Sequence, residues 1–326
     1  MADFVKLVGI ARLAAEGKVL GEKRRVEYRT LPTRKWLNRC ESDRVPFQWS
    51  INPYRGCEFG CKYCYARFTH EFMERRNPAS FEEEIYAKDW SEAAFQRELA
   101  GVKPGQMIGI GTATDPYQPA ERIYGLTRQV LDAMRYQRAI AVFITTKSNL
   151  VVRDIDVLKT LAERNDVHVT LTVTTMDRGL ARLTEPYAPR PELRMEAVQK
   201  LTRAGIPVGV IASPVLPGIT DSEENLESVA KAARQAGADQ FGAHVLFLMP
   251  SAQRVFFPFV AERFPELMKR YERSYQDGAY LKGKYPERIR VLIEQIRDRV
   301  GIPSRDLARL KLFQTGMPGE AQLALF

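Results

Sequence analysis

Between residues 47 and 250 the chain alternates short apolar runs with longer stretches in which apolar residues recur every three or four positions. The short runs predict buried strands and the longer stretches predict amphipathic helices. The predicted strands are 47–52, 107–112, 139–145, 167–174, 208–212 and 241–248, and the predicted helices are 120–136, 151–163, 193–204 and 221–235. Such alternation favours a parallel sheet covered by helices, either an open barrel or a doubly wound sheet.

Three further segments flank this predicted α/β core of residues 47–250. Residues 1–46 form a basic N-terminal extension, and residues 251–316 have the pattern of a helical region, with helices predicted at 262–276 and 285–300. Residues 317–326 begin Met-Pro-Gly, and Pro and Gly predict a flexible tail that is separate from the fold.

Composition and the first residues of the chain narrow the location of the protein. No apolar run approaches the roughly 18 residues that a membrane-spanning helix needs. The first residues lack the apolar segment and cleavage site of a signal peptide. The chain has four cysteines, three of them close together, which favours a reducing compartment over a disulfide framework. These features predict a cytoplasmic protein without a membrane partner.

The net charge of +9 is unevenly distributed. Residues 1–55 hold twelve Lys or Arg against six Asp or Glu. A basic surface of this kind is able to bind phosphates, which makes nucleic acid a candidate partner. The alternative is a solvated basic face that serves solubility.

The most specific motif is the C-x3-C-x2-C run formed by Cys57, Cys61 and Cys64. Three thiolates in one loop are able to bind three irons of a [4Fe-4S] cluster and leave the fourth iron open. Gly56 and Gly60 allow the backbone to wrap closely around the cluster. The alternatives are a zinc site completed by His70 and a chance group of buried thiols.

At these residues the chain resembles the radical S-adenosylmethionine (SAM) superfamily, with Tyr63 in the aromatic position before the third cysteine. The string N-P-Y-R-G-C at 52–57, and Tyr65-Ala66 after Cys64, resemble the branch of spore photoproduct lyase and the DNA repair photolyase-like proteins. The resemblance implies a partial TIM barrel, (β/α)6, over residues 47–250, with a [4Fe-4S] cluster and SAM as cofactors. In that superfamily an electron from the cluster cleaves SAM, and a 5'-deoxyadenosyl radical abstracts a hydrogen atom from the substrate.

Polar residues follow several predicted strands, where active sites of such barrels lie. By resemblance, Thr114 binds the amino group of SAM and Lys147 its carboxylate, a role that the charge of Lys147 also suits. Thr174 or Thr175 approaches the ribose, and the Tyr63 backbone approaches the adenine. Asp115 either orients its loop or contacts SAM. The alternatives are a surface lysine and threonines that strands favour anyway.

The resemblance fails at one catalytic position. Spore photoproduct lyase has a hydrogen-donating cysteine where this chain has Thr112, whose O–H bond is too strong to replace a thiol. The remaining catalytic candidates are Tyr63 and Tyr65, as a radical relay or as packing residues, and His244, near the end of the sixth predicted strand. The fourth cysteine, Cys40, lies upstream of the barrel, where a small buried hydrophobic side chain is its simpler role.

The last five residues, Q-L-A-L-F, match the Q-L-x-L-F peptide by which bacterial repair proteins bind the DNA sliding clamp. Leu325 and Phe326 would fill an apolar pocket while Gln322 bonds at its rim, next to Leu323. The alternative is a terminal apolar segment that packs on its own domain. Clamp binding would keep the enzyme near DNA by effective concentration.

The leading hypothesis is therefore a radical SAM enzyme that acts on nucleic acid, with DNA as the favoured substrate and repair or modification as the reaction. Its electron donor would be a protein such as flavodoxin or ferredoxin. One alternative places the same chemistry on a peptide, a tRNA or a small metabolite. The other is a non-catalytic iron–sulfur or zinc adaptor bound to the sliding clamp.

Overall fold

The computed structural model describes residues 7–303 apart from 24, 34, 43 and 44. Its strands are β1 (Val19–Lys23), β2 (Val26–Leu31), β3 (Leu37–Arg39), β4 (Trp49–Ile51), β5 (Tyr54–Arg55), β6 (Glu84–Lys88), β7 (Met107–Ile110), β8 (Ala141–Thr146), β9 (Asp166–Thr172), β10 (Val208–Val215) and β11 (Gln240–Val245). Its helices are α1 (Gly9–Glu16), α2 (Phe68–Glu71), α3 (Ser80–Glu83), α4 (Glu92–Leu99), α5 (Glu121–Tyr124), α6 (Leu126–Met134), α7 (Ile155–Ala162), α8 (Arg178–Thr184), α9 (Pro191–Arg203), α10 (Glu223–Ala236), α11 (Pro250–Arg263), α12 (Met268–Tyr275) and α13 (Tyr285–Val300).

The main sheet of the described chain has the order β11-β10-β9-β8-β7-β4-β3. Six neighbouring strands of this sheet pair in parallel, namely β11, β10, β9, β8, β7 and β4. At one edge β3 pairs antiparallel with β4. The first and last strands, β3 and β11, are not paired with each other, so the sheet is open. Six parallel strands occupy the six predicted positions. The four central strands, β7 to β10, are buried along most of their length, as near-continuous apolar runs favour.

A second sheet lies outside the predicted pattern. It has the order β1-β2-β6-β5, with β2 and β6 parallel and β5 and β6 antiparallel. No hydrophobic pattern predicts β5 and β6, because β5 has two residues and β6 begins and ends with a charged residue. This sheet connects the N-terminal residues 19–31 to the segment 54–88 within the predicted core.

Local backbone chemistry divides two of the predicted helices. The run 120–136 forms α5 and α6, which meet at Gly125 with φ +61°. The run 262–276 is divided between the end of α11, a 3-10 turn at Pro265–Leu267 and α12. Proline is favoured in the first turn of a helix and disfavoured inside one, so Pro265 marks the new start.

Two further predictions concern the C-terminal peptide and the absence of a membrane-spanning helix. The clamp-binding peptide at 322–326 lies outside the described part of the chain and stays a prediction. Within the described part, no helix is long and apolar enough to cross a membrane.

Candidate functional site

The three-cysteine loop connects β5 to the 3-10 turn Tyr65–Arg67, and backbone hydrogen bonds hold it at both ends. The Cys57 N–H donates to the Phe81 carbonyl at 2.9 Å, and the Lys62 N–H donates to the Thr184 carbonyl at 2.9 Å. Gly56 has φ +82°, and a Cβ there would lie 2.8 Å from the carbonyl oxygen of Phe81. Any other side chain at residue 56 would therefore push the loop away from its support.

All three cysteines of the loop line one cavity of about 280 Å³ at the carboxyl ends of the parallel strands. Residues from several strand ends complete its wall, as the barrel architecture predicts. Predicted site residues among its lining are Tyr63, Tyr65, Thr112, Thr114, Asp115, Lys147 and His244. The fold therefore brings the cysteines and most of the predicted strand-end residues to a single place.

The thiols suit a metal cluster by their placement. Burial raises the pKa of the Cys57 thiol well above its usual range, and it raises the pKa of Cys61 to about 12. Such thiols are neutral unless a metal takes them as thiolates. Among the described residues no group of three or more His, Cys, Asp or Glu converges on a single point. A single zinc ion needs such convergence, whereas each thiolate of a three-cysteine cluster binds its own iron.

The zinc alternative depended on His70, which is turned elsewhere. Its Nε2 lies 3.0 Å from the Glu84 carbonyl oxygen, and its ring packs against Phe81 and Tyr86. Burial lowers the pKa of His70 to about 4. His70 is not among the residues that line the cavity.

Thr114 and Asp115 form hydrogen bonds that connect neighbouring loops and strand ends around the cavity. The Thr114 hydroxyl donates to the Gly56 carbonyl at 2.6 Å, which ties the end of β7 to the cysteine loop. The Asp115 carboxylate accepts hydrogen bonds from the Thr146 hydroxyl at 2.6 Å and from the Lys147 N–H at 2.7 Å. Asp115 also accepts from the Tyr117 N–H at 2.9 Å, so it links its own loop to the end of β8. Its contact with SAM stays a prediction.

Lys147 places a positive charge in the cavity. Its Nζ lies 5.6 Å from the centre of the Tyr63 ring. Burial lowers the pKa of this ammonium group, but the negative charges of a Cys61 thiolate and of the Glu185 carboxylate outweigh burial, and the pKa is raised. Lys147 therefore stays protonated and is available to an anionic group of a ligand.

Thr174 and Thr175 do not line the cavity, although Thr170 and Thr172 do. Strand β9 ends at Thr172, so the chain has already left the sheet at the predicted positions. The Thr174 hydroxyl donates to the Glu185 carboxylate at 3.2 Å, and the Thr175 hydroxyl accepts from the Asp177 N–H at 3.0 Å. Residues 170 and 172 share one face of the strand because side chains alternate. The contact of Thr174 or Thr175 with a ribose stays a prediction.

Three of the catalytic candidates, Tyr65, Thr112 and His244, line the same cavity. The Tyr65 hydroxyl donates to the backbone carbonyl of Thr112. The Asn52 amide bridges this segment, since it donates to the Thr112 hydroxyl at 2.9 Å and accepts from the Ala113 N–H at 2.7 Å. His244 lines the same cavity near the end of β11.

A buried ion pair that no sequence pattern predicted contacts the three-cysteine loop through Tyr63. The Arg194 guanidinium on α9 pairs with the Glu185 carboxylate, and both side chains are almost fully buried. Glu185 also accepts a hydrogen bond from the Tyr63 hydroxyl, and Arg194 donates to the Thr172 carbonyl at 2.9 Å. One sequence signal was present: Arg194 lies on the helix face of the apolar Val198 and Leu201.

Fold and site together define an open α/β barrel whose three-cysteine loop and polar strand ends share one cavity. The family model described as the Radical SAM superfamily matches residues 51–241, and the chain belongs to this superfamily. This confirms the resemblance that the cysteine motif indicated. Members of the superfamily use SAM and a [4Fe-4S] cluster, so the protein is a radical SAM enzyme whose reaction is unassigned.

Relatives in sequence have no assigned activity. An uncharacterized protein of Mycobacterium tuberculosis is 32% identical over 249 residues, which cover 76% of this chain and 72% of that protein. An uncharacterized protein of Methanocaldococcus jannaschii is 30% identical over 176 residues, or 54% of this chain and 63% of that protein.

Solved structures of spore photoproduct lyase are similar in fold. The lyase complexed with dinucleoside spore photoproduct matches with a TM-score of 0.62 at 13% identity, over 84% of this chain and 79% of the lyase. A lyase variant with bound AdoMet and dinucleoside spore photoproduct matches with a TM-score of 0.61 at 13% identity, over 83% of this chain and 79% of the lyase. These matches confirm the predicted fold class, a partial barrel of radical SAM type.

Proposed function

We propose that this protein binds a [4Fe-4S] cluster through Cys57, Cys61 and Cys64, and uses SAM to act on nucleic acid. The common cavity of the three thiols supports the cluster assignment. When bound, the cluster supplies the electron that cleaves SAM and generates a 5'-deoxyadenosyl radical. The chain's own residues orient SAM, exclude water and hold the substrate.

The polar groups of the cavity suit the two charged groups of SAM. The Thr114 hydroxyl donates to the Gly56 carbonyl and accepts from the Gln118 side-chain N–H at 2.9 Å, which leaves one acceptor lone pair. An acceptor suits the SAM ammonium group. Lys147 has only donors and a positive charge, which suit the SAM carboxylate. Asp115 keeps both residues in place through its bonds to the end of β8.

Replacing Lys147 with methionine is expected to raise the KM for SAM by about 10- to 100-fold, because a hydrogen bond to a charged group contributes about 1.5–3 kcal/mol. Lys147→Arg keeps the charge and should lose less. The measurement is 5'-deoxyadenosine formation with dithionite as the reductant, at matched iron content. A Lys147→Met enzyme with an unchanged KM for SAM would contradict this role.

The nucleic-acid part of the proposal rests on one observation, a row of five aromatic rings that reaches the cavity. Consecutive ring centres lie 5.6 Å apart for Phe72 and Phe68, and 6.5 Å apart for Phe68 and Tyr65. They lie 6.0 Å apart for Tyr65 and Phe247, and 4.4 Å apart for Phe247 and Tyr280. We call these five residues the aromatic row.

The aromatic row connects solvent to the cavity wall. Its ends, Phe72 and Tyr280, are 60% and 42% exposed, and Tyr65, Phe247 and Tyr280 line the cavity. Nucleobases stack on such rings with about 1–3 kcal/mol per base. The net charge of +9 attracts the phosphates of a polyanion by a separate, electrostatic interaction. Support also comes from spore photoproduct lyase, which has this fold and was solved with a dinucleoside.

Removing one ring from the row, by Phe72→Leu or Tyr280→Leu, is expected to weaken binding of single-stranded DNA by about tenfold. Leucine keeps apolar contact and loses the stacking face. Binding is measured by fluorescence anisotropy with a labelled single-stranded oligonucleotide, and SAM cleavage by Phe72→Leu, whose residue lies outside the cavity lining, should be unchanged. The matched control is Tyr136→Leu, since Tyr136 is 61% exposed and lies just after α6, away from the cavity lining.

The two possible failures have different meanings. If single-stranded DNA and RNA both fail to bind the unaltered protein, the nucleic-acid proposal is wrong and a peptide or small metabolite becomes the better candidate. If a nucleic acid binds, and Phe72→Leu and Tyr280→Leu bind it as tightly as the control Tyr136→Leu, the nucleic-acid site does not include the aromatic row.

The proposed reaction differs from reversal of the spore photoproduct in its last step. Thr112 lines the cavity, and its hydroxyl accepts a hydrogen bond from Asn52. The fourth cysteine, Cys40, lies just beyond β3 and is not in the cavity wall. Among the described residues, the cavity thiols are therefore the three proposed cluster ligands. We infer that the hydrogen returned to the product, if any, comes from another source.

A further inference from the structure

The cysteine loop has a second face that is turned away from the cavity. Lys62 lies between two proposed cluster ligands, yet it lines a separate groove of about 390 Å³ and does not line the cavity. The groove lies between the loop, helix α8 and helix α11. We call it the rear groove; its walls include Arg182 and Leu183 from α8, and Pro258 and Arg263 from α11.

Little protein separates the rear groove from the proposed cluster. The loop that forms one wall of the groove carries the thiols on its other side, in the cavity. The Lys62 N–H donates to the Thr184 carbonyl at 2.9 Å, so the loop packs directly on the end of α8. Beside it, exposed Tyr187 lies over Gly60, where a Cβ would be 3.0 Å from the tyrosine ring.

The lining of the rear groove combines apolar residues with a net positive charge. Leu183 and Pro258 are apolar, Lys62, Arg182 and Arg263 are cationic, and Glu262 is the one acidic residue of this described lining. Arg263 pairs with Glu262 at 3.0 Å, and Arg182 donates to the Pro186 carbonyl oxygen, which carries no net charge. Within the described part of the chain, no carboxylate forms a salt bridge with Lys62 or Arg182. A small patch of this kind matches the weak, charge-steered interfaces of electron-transfer proteins.

We propose that the rear groove docks an acidic one-electron carrier protein that reduces the cluster, which rests on the proposed function. SAM and substrate occupy the cavity face of the loop when the electron is needed. A carrier on the opposite face delivers the electron without opening the cavity to solvent. In this step the reduced carrier loses one electron and the cluster gains it, and no bond or proton moves.

The test compares a protein reductant with a small one. The double variant Arg182→Glu/Arg263→Glu should bind oxidised flavodoxin, an acidic carrier, about tenfold more weakly at low ionic strength. Binding is measured by calorimetry and needs no turnover. With reduced flavodoxin, 5'-deoxyadenosine formation should slow by a similar factor at subsaturating carrier, while the rate with dithionite should stay the same. The single variant Arg182→Glu, remote from the cysteines in sequence, should show a smaller loss in the same direction.

Lys159→Glu on α7 is the matched control, because Lys159 is exposed and lies outside the rear groove. Its binding should equal that of the unaltered protein. Unchanged affinity in the double variant, or an equal loss in the control, would overturn the docking surface. A change of oligomeric state in the double variant would overturn it too, because the groove would then bind a second copy. If the unaltered enzyme with a complete cluster forms no 5'-deoxyadenosine with dithionite, the proposed function is wrong. The calorimetric measurement of flavodoxin binding would still show whether the rear groove is a docking surface.

Discussion

Replacing Cys61 with alanine is expected to remove the cluster and reduce 5'-deoxyadenosine formation to below detection. Cys57→Ala and Cys64→Ala should behave in the same way, because each thiolate is needed for its own iron. Within the described residues, the cavity wall contains no further cysteine that could replace a lost ligand. The measurements are iron content and the electron paramagnetic resonance of the reduced protein after anaerobic reconstitution, followed by product analysis with dithionite.

Cys40→Ala is the control for this prediction. Cys40 is partly buried against a small apolar cluster that contains Phe47 and Phe143, apart from the proposed ligands. The variant should keep about four irons and full SAM cleavage. A normal cluster in Cys61→Ala, or one zinc ion in the unaltered protein, would refute the cluster assignment.

Arg194→Met is expected to lower the free energy of unfolding by about 3–5 kcal/mol, because it leaves the Glu185 carboxylate buried without its partner. Tyr63 donates to the same carboxylate, so the cysteine loop should lose support and bind less iron. The double variant Glu185→Gln/Arg194→Met removes the uncompensated charge and should recover part of the loss. Anaerobic urea denaturation gives the stability, and iron content after reconstitution gives the effect on the loop.

An exposed ion pair offers a matched comparison for Arg194. Arg178 pairs with Glu192 on the surface, where such pairs contribute about 0–1 kcal/mol. Arg178→Met should therefore change stability little and leave cluster loading intact. Equal effects of the Arg178 and Arg194 variants would show that the buried pair does not hold the loop.

The main sheet was predictable because its strands are long apolar runs that alternate regularly with helices. Cys57, Cys61 and Cys64 were predictable as a set because their spacing is local. Thr114 and Lys147 were predictable as neighbours because the carboxyl ends of parallel strands meet at one edge. The choice of an open barrel over a doubly wound sheet, and the expected roles of Thr114 and Lys147 toward SAM, came from the family resemblance.

The parts that escaped prediction depend on contacts between distant residues. Tyr63 and Glu185 meet across 122 positions of sequence, and no local pattern encodes their hydrogen bond. The strand pair β2 and β6 is likewise formed by segments that are far apart in the chain. The positions of Thr174 and Thr175 were sensitive to where β9 ends, and strand ends are the least certain feature of a sequence pattern.

The carboxyl ends of the parallel strands bear on which molecules are able to reach the site. The interior of such a barrel is packed with side chains, and a ligand binds across the strand ends instead of threading through the ring. The cavity lies at these ends. Under the proposed function, a nucleic-acid target therefore needs no free end, because an internal nucleotide is able to reach the cavity while the strand continues on both sides.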